Sequence, residues 1–96
     1  MLLCKVVGKS ESAVRHQRLD GKTLLVVRRL DGQGKAEGDL NLAVDLVGAG
    51  MGETVAVVSG SVAARAAGGA DVPVDAAIVA IIDHVFVNGK ELPVKD

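Results

Sequence analysis

Asp45, Asp75 and Asp83 stand next to apolar, strand-like runs. Paired carboxylates can divide general acid and base work between them, but no nucleophile or companion histidine is spaced to join these. His84 follows Asp83 directly, so on a strand the two side chains leave by opposite faces. Hydrogen bonding or ion pairing, for example with Arg65, accounts for the acids better than catalysis. His16 has no partner at metal-ligand spacing. Cys4, the only cysteine, sits in an apolar run, where it reads as a buried inert thiol unable to form an internal disulfide. The expectation is no catalytic, cofactor-binding or metal-binding set, and no enzymatic activity.

Gly48-Ala49-Gly50-Met51-Gly52 superficially resembles a dinucleotide-binding fingerprint. That fingerprint needs a helix directly after its glycines, so that the pyrophosphate meets the helix N-terminus. Here Glu53-Thr54-Val55-Ala56-Val57-Val58 follows, which reads as a strand, and the third glycine comes one position early. The glycines are better explained by backbone conformation, since they permit positive φ and close packing. If subunits ring an axis, Gly48, Ala49, Gly50, Met51 and Gly52 are candidates for the loop beside it.

The element around which the rest must be arranged is Val72 to Asp83. Residues Ala76 to Ile82 are all apolar, rich in Ile and Val, and preceded by Pro73. The run is far too short for a bilayer, which needs about 20 residues; its composition favours a buried strand. By period two, Val74, Ala76, Ile78, Ala80 and Ile82 form one face. Asp75, Ala77, Val79, Ile81 and Asp83 form the other, which is apolar in the middle and acidic at its ends. A strand apolar on both sides calls for a second cover, either a helix or another copy of the chain. Arg65, Asp75, Ala77, Val79, Ile81 and Asp83 are therefore candidate subunit-interface residues.

Other strands are expected at Leu2–Val7, with a bend or bulge at Gly8, at Thr23–Val27 with a possible extension to Leu30, at Leu40–Val47 by alternation, and at Glu53–Val58. Residues 9–18 are polar, and Arg15-His16-Gln17-Arg18 reads as a solvated loop or strand edge. Asp31 to Asp39 reads as a Gly-rich surface connection. Val62–Ala67 has helix propensity, a possible Ser61 cap and a Gly68-Gly69 stop. Asn88-Gly89, between Val85-Phe86-Val87 and Leu92-Pro93-Val94, is a strong hairpin signal. Five or six strands, one short helix and no long amphipathic helix predict a small all-β chain: a five-stranded β-barrel that closes to dispose of its edges.

With 96 residues, one domain over 1–96 is expected, burying somewhat over ~60% of its unfolded surface. The net charge of −1 gives no overall field to select nucleic acid or an acidic membrane. Its distribution is uneven: residues 1–35 carry a balance of +5 and residues 36–96 a balance of −6. Beside a plain mixed surface, that split fits a basic patch meeting an acidic patch on a neighbour, a head-to-tail contact that builds rings. A five-stranded barrel of this type is OB-like, and OB-folds often bind single-stranded nucleic acid by stacking aromatics in a basic groove. With one Phe and no Tyr or Trp, that reading ranks second, and a small enzyme subunit last. Nothing resembles a signal peptide, so a cytoplasmic chain with no membrane partner is expected.

Pro73-Val74-Asp75-Ala76-Ala77-Ile78-Val79-Ala80-Ile81-Ile82-Asp83, preceded by Val47-Gly48-Ala49-Gly50-Met51-Gly52-Glu53 and Gly60-Ser61, resembles the vertex proteins of bacterial microcompartments, the carboxysome and ethanolamine-compartment pentamers. Cys4-Lys5-Val6-Val7-Gly8 and Leu19 to Val27 fit the same family, so the resemblance covers nearly the whole chain. It implies an OB-like barrel that forms a homo-pentamer and closes the vertices of a polyhedral shell, in contact with hexameric shell proteins at its rim. Spacing alone leaves the ring order open between five and six. The sequence departs from the family where Ala64 stands in place of its usual arginine, with Arg65 one position later, a turn of about 100° on a helix. It departs again at the polar Lys9-Ser10-Glu11-Ser12-Ala13 and at Arg28-Arg29. The enclosed pathway is not legible.

Overall fold

The computed structural model describes residues 1–93. Five strands close into a barrel in the order β1-β2-β3-β5-β4. They are β1 Leu2–Lys9, β2 Leu24–Leu30, β3 Ala36–Asp45, β4 Thr54–Ser59 and β5 Ala76–Ile81. Helix α1, Ser61–Ala66, lies between β4 and β5. After the barrel, β6 (Phe86–Val87) and β7 (Lys90–Glu91) form a separate two-stranded sheet. The expected all-β barrel with one short helix is present. All barrel pairings are antiparallel except β3 with β5, which run parallel and meet only at Val44 with Ala77 and Asp45 with Ile78.

The interior is filled by Cys4, Val6, Leu25, Val27, Ala43, Val55, Val57 and Ile78. Burying a Val, Leu or Ile side chain is worth about 1.5–3 kcal/mol, so a core built without large aromatics still accumulates enough to hold the barrel. A second cluster lies outside the barrel wall, where Ala63 and Ala67 from the helix region and Val72 cover Val44 and Ala77. The small side chains of α1 let it lie close against β4 and β5.

The organising strand departs from strict alternation. Ala56 pairs with Ala80 but Val57 pairs with Ile78, so Val79 is an extra residue and β5 bulges there. The bulge exchanges the faces: Ile78 and Ile81, three apart, both pack on the barrel core. Ile81 therefore belongs to the inner side, not to the outer face where period two puts it. A bulge inserts one residue and reverses the alternation beyond it. Ala77 has 0% exposure because the helix and Val72 cover it within its own chain. It offers no surface to a neighbour, which corrects its place among the interface candidates.

Other boundaries shift for local reasons. Gly8 marks a bulge as expected, the β1–β2 register slipping between Val6 and Gly8. Strand β3 starts at Ala36, inside what reads as a surface connection, because Gly38 at φ 82 lets the strand continue through an irregularity opposite Val27 and Arg29. Leu40 and Leu42 are exposed at 67% and 51%, so the first part of β3 is not half-buried. Ser61 is the first helical residue rather than the cap; Gly60 holds the cap position and no side chain bonds there. Gly68 and Gly69 end the helix, their N–H groups donating to the Arg65 and Ala64 carbonyls at 3.2 and 3.1 Å.

The 9–22 segment is more than a solvated loop. Gln17–Leu19 forms a 3-10 turn. Arg15 Nη1 donates to the carbonyls of Leu19 and Lys22 at 2.9 and 2.7 Å, and Arg18 bridges to Asp71 at 2.9 Å. Asn88 and Gly89, at φ 53 and 78, form the two-residue turn their sequence predicts. The Val94 end of that expected hairpin lies outside the described residues.

Candidate assembly interface

The glycine loop after β3 is built by two carboxylates. Asp45 Oδ1 accepts the N–H groups of Val47, Gly48 and Ala49 at 3.1, 3.1 and 3.2 Å, and Oδ2 accepts Ala49 N–H at 3.0 Å. Glu53 Oε1 accepts the Gly50 N–H from the other side. Gly48 and Gly52 adopt φ of 76 and 80, where a Cβ is costly. Gly52 N–H donates to the Val6 carbonyl at 2.9 Å, and Val6 N–H to the Glu53 carbonyl at 3.0 Å, which ties the loop to β1. Met51 is left at its tip, 65% exposed. Asp45 thus bonds loop amides and not Arg65; Arg65 is exposed on α1.

Where β3 extends beyond its short pairing with β5, the barrel has an open mouth of about 390 Å³. Leu2, Leu40, Leu42, Arg29, Asn41 and Asp75 are among the residues that line it, with Cys4 and Val57 deeper. Burial pushes the Cys4 thiol pKa up, against a smaller opposite pull from Arg29. Beside the mouth, a second groove of about 220 Å³ runs between β3 and the lead-in to β5. Of the sequence candidates, Asp75 lines both cavities. Val79 is half-buried and Asp83 exposed. Among the described residues, no group of three or more His, Cys, Asp or Glu side chains could hold a metal ion, and no helix is long and apolar enough to cross a membrane.

A family model described as "Ethanolamine utilisation protein EutN/carboxysome" matches residues 1–83. The chain belongs to this family. It is 42% identical over 90 residues to the bacterial microcompartment shell vertex protein EutN of Salmonella typhimurium, covering 94% of this chain and 91% of that one. It is 42% identical over 92 residues to the carboxysome shell vertex protein CcmL of a Synechocystis species, covering 96% and 92%. The solved GrpN pentameric microcompartment shell protein of Rhodospirillum rubrum is 40% identical and superposes with a TM-score of 0.82, over 91% of this chain and 99% of that chain.

Within this family member, Asp45 makes the hydrogen bonds expected of the acids, but its bracing of the loop was not foreseen, and Glu53 was not singled out. Asp45 was legible only as an acid beside a strand. An Asp placed two to four residues before a glycine-rich turn is the signal for carboxylate capping of turn amides, and Glu53, just after it, completes the pair.

Proposed function

We propose that this protein forms a homo-pentamer that caps the vertices of a bacterial microcompartment, as part of its shell in the cytoplasm and in contact with hexameric shell proteins. The single observation that carries the reading is identity of 40–42% to shell vertex and pentameric shell proteins across at least nine-tenths of this chain. The whole 1–96 stretch acts as one vertex domain. It works by shape: a hexagonal sheet cannot close without five-fold points, and a ring of five barrels supplies one. The exposed Leu40 and Leu42, together with Asp75, Val79, Asp83 and Arg65, form the contact between barrels. The rigid Gly48–Gly52 loop, with Met51, lies near the ring axis. No catalysis, cofactor or nucleic acid takes part.

Native mass spectrometry tests the ring. The expected species has five chain masses, and a monomer at high concentration rejects it. Co-assembly with hexameric shell proteins, viewed by electron microscopy, tests the vertex role: closed particles with this protein and open sheets or tubes without it. A filter-binding salt series tests the second-ranked reading, because phosphate binding collapses as salt rises; no retention is expected at any salt.

A further inference from the structure

The β6–β7 hairpin stands apart from the barrel. It forms its own sheet, and a two-stranded hairpin alone is marginal in water. Its base is held where Leu92 and Pro93 pack over Gly34 in the β2–β3 turn. Yet it exposes Val87 at 49% and Phe86, the only aromatic residue of the chain, at 67%. Val87 pairs with Lys90, so the two leave by one face. Phe86 and Glu91 leave by the other, where His84 stacks on Phe86 and bonds Glu91 at 2.6 Å.

The groove beside the barrel mouth is the counterpart. Its walls are apolar, with Leu42 and Val44 on one side and Pro73 and Ala76 on the other, and among the described residues Asp75 is its only charged lining residue. Leu42 and Val87 are both exposed in the same chain, so the hairpin does not cover its own groove. One chain therefore displays two unlike apolar patches, one marked by an ammonium and one by a carboxylate. A two-fold dimer needs one self-complementary patch; a ring needs two different ones that fit each other head to tail.

We propose that the β6–β7 hairpin of each copy docks into the Leu42–Asp75 groove of the next copy, Val87 against Leu42 and Lys90 toward Asp75. This rests on the ring reading above and names the surfaces that make the ring. Apolar contact holds the hairpin, and the charge pair fixes which way round it enters. The hairpin, marginal by itself, becomes ordered by the subunit it joins.

The test uses the full chain, with Val87→Asp, Lys90→Glu, Asp75→Lys and the Lys90→Glu/Asp75→Lys double exchange. Native mass spectrometry across a dilution series reads assembly, and thermal melting checks the barrel. Each single change is expected to raise the half-assembly concentration about tenfold or more, and the double exchange to recover most of that loss. Since the hairpin lies outside the barrel sheet, Val87→Asp and Lys90→Glu leave a folded barrel. Rings that form normally in all three single variants overturn the inference while the ring reading stands. Failure of the double exchange to recover overturns the pairing of Lys90 with Asp75. A wild-type chain that never assembles overturns the ring reading itself.

Discussion

Both carboxylate oxygens of Asp45 accept the N–H of Ala49, at 3.2 and 3.0 Å, and one of them also takes the N–H groups of Val47 and Gly48. A loop with three glycines in five residues has much freedom to lose, and this side chain fixes it before any partner arrives. Asp45→Ala leaves those amides to water at a cost of about 1–2 kcal/mol, which lowers Tm by roughly 5–15 °C for a domain of this size. Asp45→Asn keeps one acceptor oxygen and falls between. Thermal melting checks the order; equal Tm in all three proteins refutes the bracing role.

Ile78 and Val79 adjoin in sequence and part ways in space. Ile78 has 0% exposure in the barrel core, whereas Val79 is the bulge residue and is half-buried. Ile78→Ala is expected to cost about 2–5 kcal/mol. Val79→Ala changes the stability of the dissociated chain by under about 1 kcal/mol and weakens assembly if Val79 lies between barrels. Urea unfolding at a concentration below assembly, set beside native mass spectrometry, separates the two effects. A large loss of chain stability on Val79→Ala contradicts the bulge assignment.

The same pair shows what the sequence could and could not reveal. Composition disclosed the strand with two apolar sides that the structure has at Ala76–Ile81, and a barrel was expected from five or six strands with no long helix to cover a sheet. The position of a bulge depends on how two strands are staggered, which period-two counting does not contain, so Ile81 was assigned to the wrong face. Of the two covers the sequence allowed for Ala77, a helix or another copy, the structure has the helix; Ala77 was placed among the interface candidates because α1, a short alanine-rich element, gives little sign of where it docks. Strand β3 was shortened because Gly38 looks like a loop residue, although a glycine at positive φ also serves a bulge. Asn88-Gly89 was legible because its turn chemistry is local.

His84 and Glu91 lie 2.6 Å apart, and that contact holds the His84 pKa above its ordinary 6.5, with a smaller push from Asp83. The folded pKa is raised, so the pair stabilises the hairpin fully below the unfolded value of 6.5 and loses that contribution as pH rises through the folded value. Hydrogen exchange of the hairpin amides is therefore expected to quicken on going from mildly acid to alkaline pH, beyond the intrinsic pH dependence of exchange. An NMR titration is expected to show His84 shifting down in Glu91→Gln. An unchanged His84 titration in that variant rules out the pair as the cause.

Gly34 is the point where the C-terminal hairpin meets the barrel. It adopts φ 83 in the β2–β3 turn, and a Cβ there would run into the Pro93 carbonyl and lie 3.3 Å from Leu92 Cγ. Asp31 shapes the same turn: its Oδ1 accepts the N–H groups of Gln33 and Lys35 at 2.8 and 3.0 Å, and these bonds lower its pKa. The turn is thus held from below while Pro93 closes it from above. Gly34→Ala pays the left-handed backbone cost of about 1–2 kcal/mol and also displaces Leu92 and Pro93, since the obstructing atom belongs to the backbone. The Leu92 N–H, which donates to the Val85 carbonyl at 2.7 Å, is expected to lose its exchange protection. Gly32→Ala is the control: it has open space around it and no positive φ, so a change within about 0.5 kcal/mol is expected. If Gly34→Ala matches that control in both melting and Leu92 exchange, the hairpin is not anchored through this turn.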